Sequence, residues 1–266
     1  MTSTSWRGFV PTPDRESKLL MTDHHPSDQA ALRGEPSYVW RSGQERRLQM
    51  IARWAALKDA RILEAGCGLG AYSSQFRRRY SPSVEAFDVE LERVKAASAE
   101  TPHALVAAAE ALPYRNGLFD TILSNEVIEH VVDDRAAARE MVRTLKPGGR
   151  IVLFCPNRWY PVEQHGHYWK GTYHFGNTPL INYLPDRWRN KLAPHVRTYS
   201  ARAVRGLFDG LPVRIVYHTR IFGGYDNIVY RHPRLGRALR AALYVAEHTP
   251  LRVLGLSHLL IIEKMG

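Results

Sequence analysis

Between residues 124 and 134 the chain reads SNEVIEHVVDD, which spaces Glu126, Glu129 and His130 three and one apart, four in all. On a helix those separations put the three side chains on one face. Two carboxylates and an imidazole in one place can handle a proton or hold a divalent cation. A second chemistry-bearing stretch, CPNRWYPVEQHGHYWKGTYHFGN, carries His165 and His167 among Trp159, Tyr160, Tyr168, Trp169 and Tyr173, with Arg158 and Lys170. Flat rings with cations suit a planar or phosphate-bearing acceptor, and equally suit exposed RNA bases. A third stretch, ILEAGCGLGAYS, delivers Glu64 and then Gly66, Gly68 and Gly70, where the missing Cβ atoms let the backbone approach a ligand. Alone it is ambiguous, because Gly66, Gly68 and Ala71 also satisfy the dinucleotide fingerprint G-x-G-x-x-A.

These residues need a frame to hold them, and the pattern supplies one. ARILEAG, VEAFDV, ALVAAAEALPY, FDTILSNEV and GRIVLFCPN each begin as or contain a short apolar strand. LGAYSSQFRRRY, ELERVKAASAE and DDRAAAREMVRTL are helix-like segments between them. Such alternation predicts a parallel sheet with helices on both faces and a ligand at the carboxyl ends of the strands. YVWRSGQERRLQMIARWAAL has helical spacing ahead of the first strand. SARAVRGLFDGL is a further helix with Ser200 as its N-cap, and VRIVYHTRIF and LLIIEKM read as two closing strands. The expected organisation is a flexible N-terminal segment over 1–36, where His24 and His25 are taken as idle, then a ligand-binding core over 37–156. The remainder, 157–266, holds a cap insertion, the closing strands and a basic amphipathic segment at 234–256. That segment is expected to pack on the sheet as a peripheral helix, to lie on an anionic membrane surface or to close over a lipophilic pocket.

The surroundings of the glycine loop break its ambiguity. An acid lies two residues before Gly66, and AFDV, AEALPY, LFDTILSNEVIEH and LKPGGRIVL follow in that order. In these motifs, over about residues 38–156, the chain resembles the class I S-adenosylmethionine-dependent methyltransferases, in the branch with ubiquinone- and menaquinone-pathway members. The resemblance implies a Rossmann-like α/β sheet of seven strands, mostly parallel with a C-terminal antiparallel strand, plus an aromatic and basic cap after strand five. It implies S-adenosylmethionine as cofactor, with Glu64 and the loop Gly66–Gly70 at its methionine end and Asp88 on the ribose hydroxyls. Ala109 and Glu110 would border the adenine, and Asn125 would sit near the transferring methyl group. The family often has an acid before that alanine, and here Ala108 stands instead. Two subfamilies share EVxEH, the ubiquinone-pathway O-methyltransferases and the small-RNA 2′-O-methyltransferases, and both pair the Glu and His with a metal. The RNA enzymes add a His beyond a PN. By that resemblance Glu126, Glu129, His130 and one of His165 or His167 would enclose Mn²⁺, Fe²⁺ or Zn²⁺ rather than Mg²⁺. Without a metal, His130 serves near the acceptor, with Glu126 and Glu129 beside it. His165, His167, Trp159 and Tyr168 are then acceptor-binding candidates. LKPGG and Asp120 are expected to be structural.

The leading expectation is an enzyme that methylates a hydroxyl of a small organic acceptor, lipid-linked or glycosylated. RNA 2′-O-methylation, a non-catalytic S-adenosylmethionine-binding protein and a nicotinamide dehydrogenase are its rivals. Composition agrees with a core-forming chain, since 44% of its 266 residues are apolar. Cys67 and Cys155 are too few for a disulfide framework and sit on strands too far apart to bridge. No signal peptide and no run of about 18 apolar residues is evident, so a cytoplasmic protein is expected. Residues 1–156 carry 21 Lys/Arg against 20 Asp/Glu, whereas 157–266 carry 16 against 6. The net charge of +11 therefore lies almost wholly in the last part of the chain, where it would draw an anionic membrane, a phosphate-bearing acceptor or nucleic acid.

Overall fold

The computed structural model describes residues 40–266; the N-terminal segment, with His24 and His25, lies outside the described residues. Its centre is a seven-stranded sheet in the order β10-β11-β5-β4-β1-β2-β3. The strands are β1 (Ile62–Ala65), β2 (Val84–Asp88), β3 (Ala104–Val106), β4 (Phe119–Asn125), β5 (Leu145–Pro156), β10 (Val213–Ile221) and β11 (Ser257–Lys264). β1 to β5 run parallel, and β11 is antiparallel to both β5 and β10. The expected class I sheet is present, and its last two strands come from beyond residue 156.

Strand periodicity explains why both faces are covered. On β5, Ile151, Leu153 and Cys155 enter one apolar cluster while Val152 and Phe154 enter the other; on β11, Leu260 and Ile262 oppose Leu259 and Ile261. Helix α4 (Asp134–Thr144) seals the first face with Ala137, Ala138, Met141 and Val142. Helices α1 (Ser42–Trp54) and α2 (Ala71–Arg79) seal the second with Leu48, Ile51, Tyr72 and Phe76. Each fully buried Leu, Ile or Phe contributes about 1.5–3 kcal/mol. A short helix, α3 (Leu91–Ser98), follows β2. Cys67 and Cys155 are both free. Asp120 is structural as expected, accepting from the Arg61 backbone at 2.8 Å and from Lys146 Nζ at 2.6 Å. The Lys146–Gly149 stretch falls out of register, for the partner of β4 passes from Leu145 to Arg150.

Two expectations are corrected. The EVIEH stretch is not helical. Glu126 takes a left-handed backbone, φ 56°, straight after β4, and His130 N donates to Val127 O at 2.9 Å to close a turn. The helix begins only at Asp134, where the Asp133 side chain caps Ala136 N. The basic segment is helical but does not lie flat on the sheet. α8 (Pro233–Ala246) packs chiefly on α7 (Asp226–Arg231) and on a 3₁₀ turn, Pro250–Leu254.

The cap after β5 is built from small pieces. β6 (Val162–Glu163) pairs with β9 (Thr178–Pro179), and β7 (His167–Trp169) pairs with β8 (Thr172–His174). Helix α5 (Asp186–Leu192) follows, and α6 (Ala201–Gly206) is capped by Ser200 as expected. No helix among the described residues is long and apolar enough to cross a membrane.

Candidate active site

The carboxyl ends of β1, β2 and β4 open into a cavity of about 340 Å³. Asp88 ends β2 inside it. One of its oxygens accepts from Gly68 N at 2.9 Å and the other from Glu90 N at 3.0 Å, so the carboxylate is held by backbone and keeps lone pairs to spare. Phe87, Ala107 and Ala109 supply apolar wall. Glu110 lines the cavity too, its Oε1 accepting from Val132 N at 2.7 Å and Asp133 N at 3.2 Å, which ties the β3 end to the EVIEH turn. Gly66 is at the cavity edge with φ 64°, and a Cβ there would stand 2.5 Å from Val127 Cγ2, so only glycine fits. A carboxylate at one end of an apolar slot of this size suits a nucleoside, and the adenosine half of S-adenosylmethionine fits it.

Glu64 and Asn125 are placed differently from expectation. Glu64 does not line the cavity; it is buried and accepts from both the backbone N, at 2.6 Å, and the hydroxyl of Ser73 at the start of α2. Burial pushes its carboxyl up to about 7, against the pull of those Ser73 hydrogen bonds. The reason is local: the first turn of helix α2 presents unsatisfied backbone donors, and Glu64 accepts from one of them at Ser73. Gly70 packs on Ala97 rather than opening to the cavity. Asn125 accepts from Arg47 at 2.6 Å and lines a neighbouring cavity of about 280 Å³, walled by α1, Tyr72, Phe222 and Tyr244.

The acid–histidine cluster forms through the turn and the cap. Ligating atoms of Glu129, His130 and His165 all lie within 4.8 Å of one another. Both Glu129 oxygens and His130 Nδ1 are buried with no hydrogen-bond partner among the described residues. Glu126 stands beside them, ion-paired to Arg47 at 2.9 Å and accepting from Ser257 Oγ at 2.9 Å. Burial opposes its charge, but Arg47 and His165 outweigh that and hold Glu126 below the usual carboxylate range. Burial, then the charge of Glu126, pushes Glu129 well up. Burial and the neighbouring His165 bring His130 down to about 4, so it is a neutral imidazole at pH 7. His130 lines the 340 Å³ cavity, and His165 lines a third cavity of about 170 Å³; Glu126 borders both.

Of the two candidate histidines, the structure brings His165 to the cluster and not His167. His167 sits on the β7–β8 hairpin, within 3.0 Å of Thr178 Oγ1 and stacked on His174. Trp159 is half exposed against Tyr183, and Tyr168 packs on Tyr173 and His195. None of these three lines the cavities that meet at Glu126. What the sequence reading missed lies behind His165. Glu163 Oε1 is 3.0 Å from His165 Nδ1, and its Oε2 accepts from Arg189 at 3.1 Å. Both Glu163 and Arg189 are 1% exposed. Burial opposes the charge on Glu163, yet His165 and Arg189 bring it down to about 2. A carboxylate on Nδ1 fixes the ring and leaves the other nitrogen for the cluster. The only sequence signal was Glu163 and His165 two apart, at the end of a strand and in the bend after it; nothing marked Arg189 or Arg47.

Parts of this chain resemble known proteins. Residues 63–153 match the family model described as a methyltransferase domain. A 2-methyl-6-phytyl-1,4-hydroquinone methyltransferase of Synechocystis is 26% identical over 170 residues, 60% of this chain and 51% of that protein. A ubiquinone biosynthesis O-methyltransferase of Xanthomonas oryzae is 33% identical over 119 residues, 42% of this chain and 49% of that protein. The chain thus spans about half the length of these curated relatives. Among solved structures, an S-adenosylmethionine-dependent methyltransferase from Mesorhizobium loti shares the fold with TM-score 0.58 at 17% identity, covering 82% of this chain and 96% of that one. A geranyl diphosphate C-methyltransferase from Streptomyces coelicolor shares it with TM-score 0.55 at 19% identity, covering 91% and 88%. Residues 63–153 are thus a methyltransferase domain, and the sheet that carries them has the fold of solved S-adenosylmethionine-dependent methyltransferases.

Proposed function

We propose that this chain is an O-methyltransferase acting on a hydroxyl of a small organic acceptor of the hydroquinone or phenol type. The observation that carries the reading is the position of the Glu129–His130–His165 cluster. It lies between the slot that suits the donor and the smaller cavity beyond Glu126, where an acceptor hydroxyl would meet it. The quinone-related relatives favour the same acceptor class.

When bound, the cofactor supplies a methyl group already activated on a sulfonium. The chain's own residues then have two tasks, positioning and proton handling. Asp88 would hold the ribose, with Ala109 and Glu110 along the base. His130, neutral at pH 7 with Nδ1 unpartnered, would take the hydroxyl proton. Glu163 and Arg189 would hold His165 in place, and Arg47 would keep Glu126 ionised beside the acceptor. A carboxylate and two imidazoles also suit a first-row divalent cation, so Glu129, His130 and His165, with Glu126 at hand, are the residues that would hold Mn²⁺, Fe²⁺ or Zn²⁺.

RNA is the second reading, favoured by aromatic side chains left exposed on the cap: Trp169 at 55%, Phe175 at 65%, and Trp188 with Arg187 over its ring. The test follows labelled methyl groups from S-adenosylmethionine into a cell extract split into lipid, small-molecule and RNA fractions, with and without chelator. Label in the lipid or small-molecule fraction supports the proposal. Label in RNA replaces it with the second reading, and no label in any fraction favours a protein that binds the cofactor without turnover.

A further inference from the structure

An amphipathic helix in a folded protein turns its apolar stripe inward. α8 does the reverse. Leu235, Ala238, Leu239, Ala242 and Val245 recur at helical spacing, and all five are exposed. Its inward side carries Gly236, Arg240, Leu243, Tyr244 and Glu247. Gly236 sets that orientation: a Cβ there would stand 2.6 Å from the Val229 backbone, so α7 and α8 meet at this residue and nowhere else on the helix is fully buried. Polar contacts fix it further. Arg240 reaches the Gly224 carbonyl at 3.4 Å, Glu247 accepts from Arg46 and Phe222 N, and Arg46 lies over the Tyr244 ring at 3.7 Å. The outward apolar surface continues through Tyr230, 87% exposed, and through Leu251, Val253 and Leu254 of the following turn.

Charge accompanies the stripe. Arg231, Arg234, Arg237 and Arg252 are exposed, and none is paired with an acid among the described residues. The two acids of this region, Asp226 and Glu247, are both turned inward, to Ser42 and Arg240 and to Arg46. An apolar face bordered by unpaired arginines is the pattern of a helix lying in the interface of an anionic bilayer. A second protein chain would be expected to answer arginines with its own acids at fixed positions; a lipid surface answers them anywhere along the stripe.

We propose that α7, α8 and the Pro250–Leu254 turn dock on an anionic lipid bilayer. Tyr244, on the inward side of the same helix, lines the 280 Å³ cavity beside Arg47 and Asn125. The docked face therefore stands about one helix diameter, ~10 Å, from that cavity, which neighbours the candidate site through Arg47. If the acceptor is of the class proposed above, a membrane-dissolved one would enter along this side.

The test is flotation of the full chain with phosphatidylcholine vesicles and with vesicles that also contain phosphatidylglycerol, at low and high salt. Binding should require phosphatidylglycerol and weaken with salt. R234E/R237E should weaken it at least tenfold, from about fivefold per arginine removed. L235D/V245D should abolish it with the fold intact by circular dichroism, since both positions face solvent, and L251D provides an independent third position. Absence of flotation with either vesicle would overturn the proposal, as would flotation indifferent to these substitutions. A homodimer in solution that L235D/V245D dissociates would also overturn it. Flotation reads no activity, so its outcome is independent of whether methyl transfer is found.

Discussion

Glu163→Gln is the perturbation that most sharply separates a built site from a coincidence of polar residues. Glu163 is 1% exposed and sits near 2 against an ordinary 4.5, because His165 and Arg189 together overcome the burial that opposes its charge. That difference corresponds to about 3 kcal/mol favouring the charged, folded form. Glutamine keeps the shape and can still accept from His165 Nδ1, but it leaves Arg189 buried against two carbonyls, Ala193 O and Val196 O, with no counter-charge. Loss of one partner from a buried pair costs about 3–5 kcal/mol. A destabilisation of about 3 kcal/mol at pH 7 is therefore expected in urea unfolding. The pH dependence carries the sign. A carboxyl depressed in the folded state contributes its stability above about 4.5 and loses it as pH falls towards 2, so the gap between wild type and variant should be full at pH 7 and shrink below pH 4.5. Activity should fall about tenfold or more, because His165 loses its anionic holder. A gap under about 0.5 kcal/mol, or one that does not change with pH, would refute the reasoning.

Other expectations are equally specific. Asp88→Ala should weaken S-adenosylmethionine binding about tenfold or more by calorimetry, since it would remove the carboxylate proposed to hold two ribose hydroxyls and also frees Gly68 N; unchanged affinity would remove Asp88 from the donor site. Titrating Mn²⁺ or Zn²⁺ into the purified chain should give one site that is lost in Glu129→Gln and kept in His167→Ala; equal loss in both would contradict the placement of His165 over His167. His130 should also leave its mark on stability. Its folded value of about 4 lies below the ordinary 6.5, so its contribution is whole above pH 6.5 and declines as pH falls towards 4. His130→Ala should flatten the wild-type decline in that window, and an unchanged profile would mean that the ring is not buried as described.

The sheet was readable because strand and helix periods alternate along ILEA, VEAFD and FDTILSN, and because LLIIEK is apolar enough to be a central strand. The Asp88, Ala109 and Glu110 wall was readable for the same reason, since position at a strand end fixes direction. The cluster was only half readable. Its spacing suggested a helix, yet a left-handed Glu126 and a turn bring Glu129 and His130 to the same place by a different route. Nothing local could choose between His165 and His167. That choice is made by Glu163, which reaches His165 at 3.0 Å, and by Arg189, which comes from α5. The direction of the α8 stripe was left open because periodicity shows that a helix has an apolar face and not which way the face turns. A tight contact at Gly236 decides that.

In the proposed function the Glu129–His130–His165 cluster acts on the acceptor and not on the cofactor. The measurement that tests it most directly is single-turnover transfer of labelled methyl from S-adenosylmethionine to a hydroquinone or catechol acceptor. Wild type and His130→Ala would be compared with cofactor saturating in both. Cofactor affinity should stay within about threefold while the transfer rate falls by about 10²–10⁴, the range that loss of a general base removes. Transfer at the wild-type rate by the variant, with cofactor bound, would contradict the account.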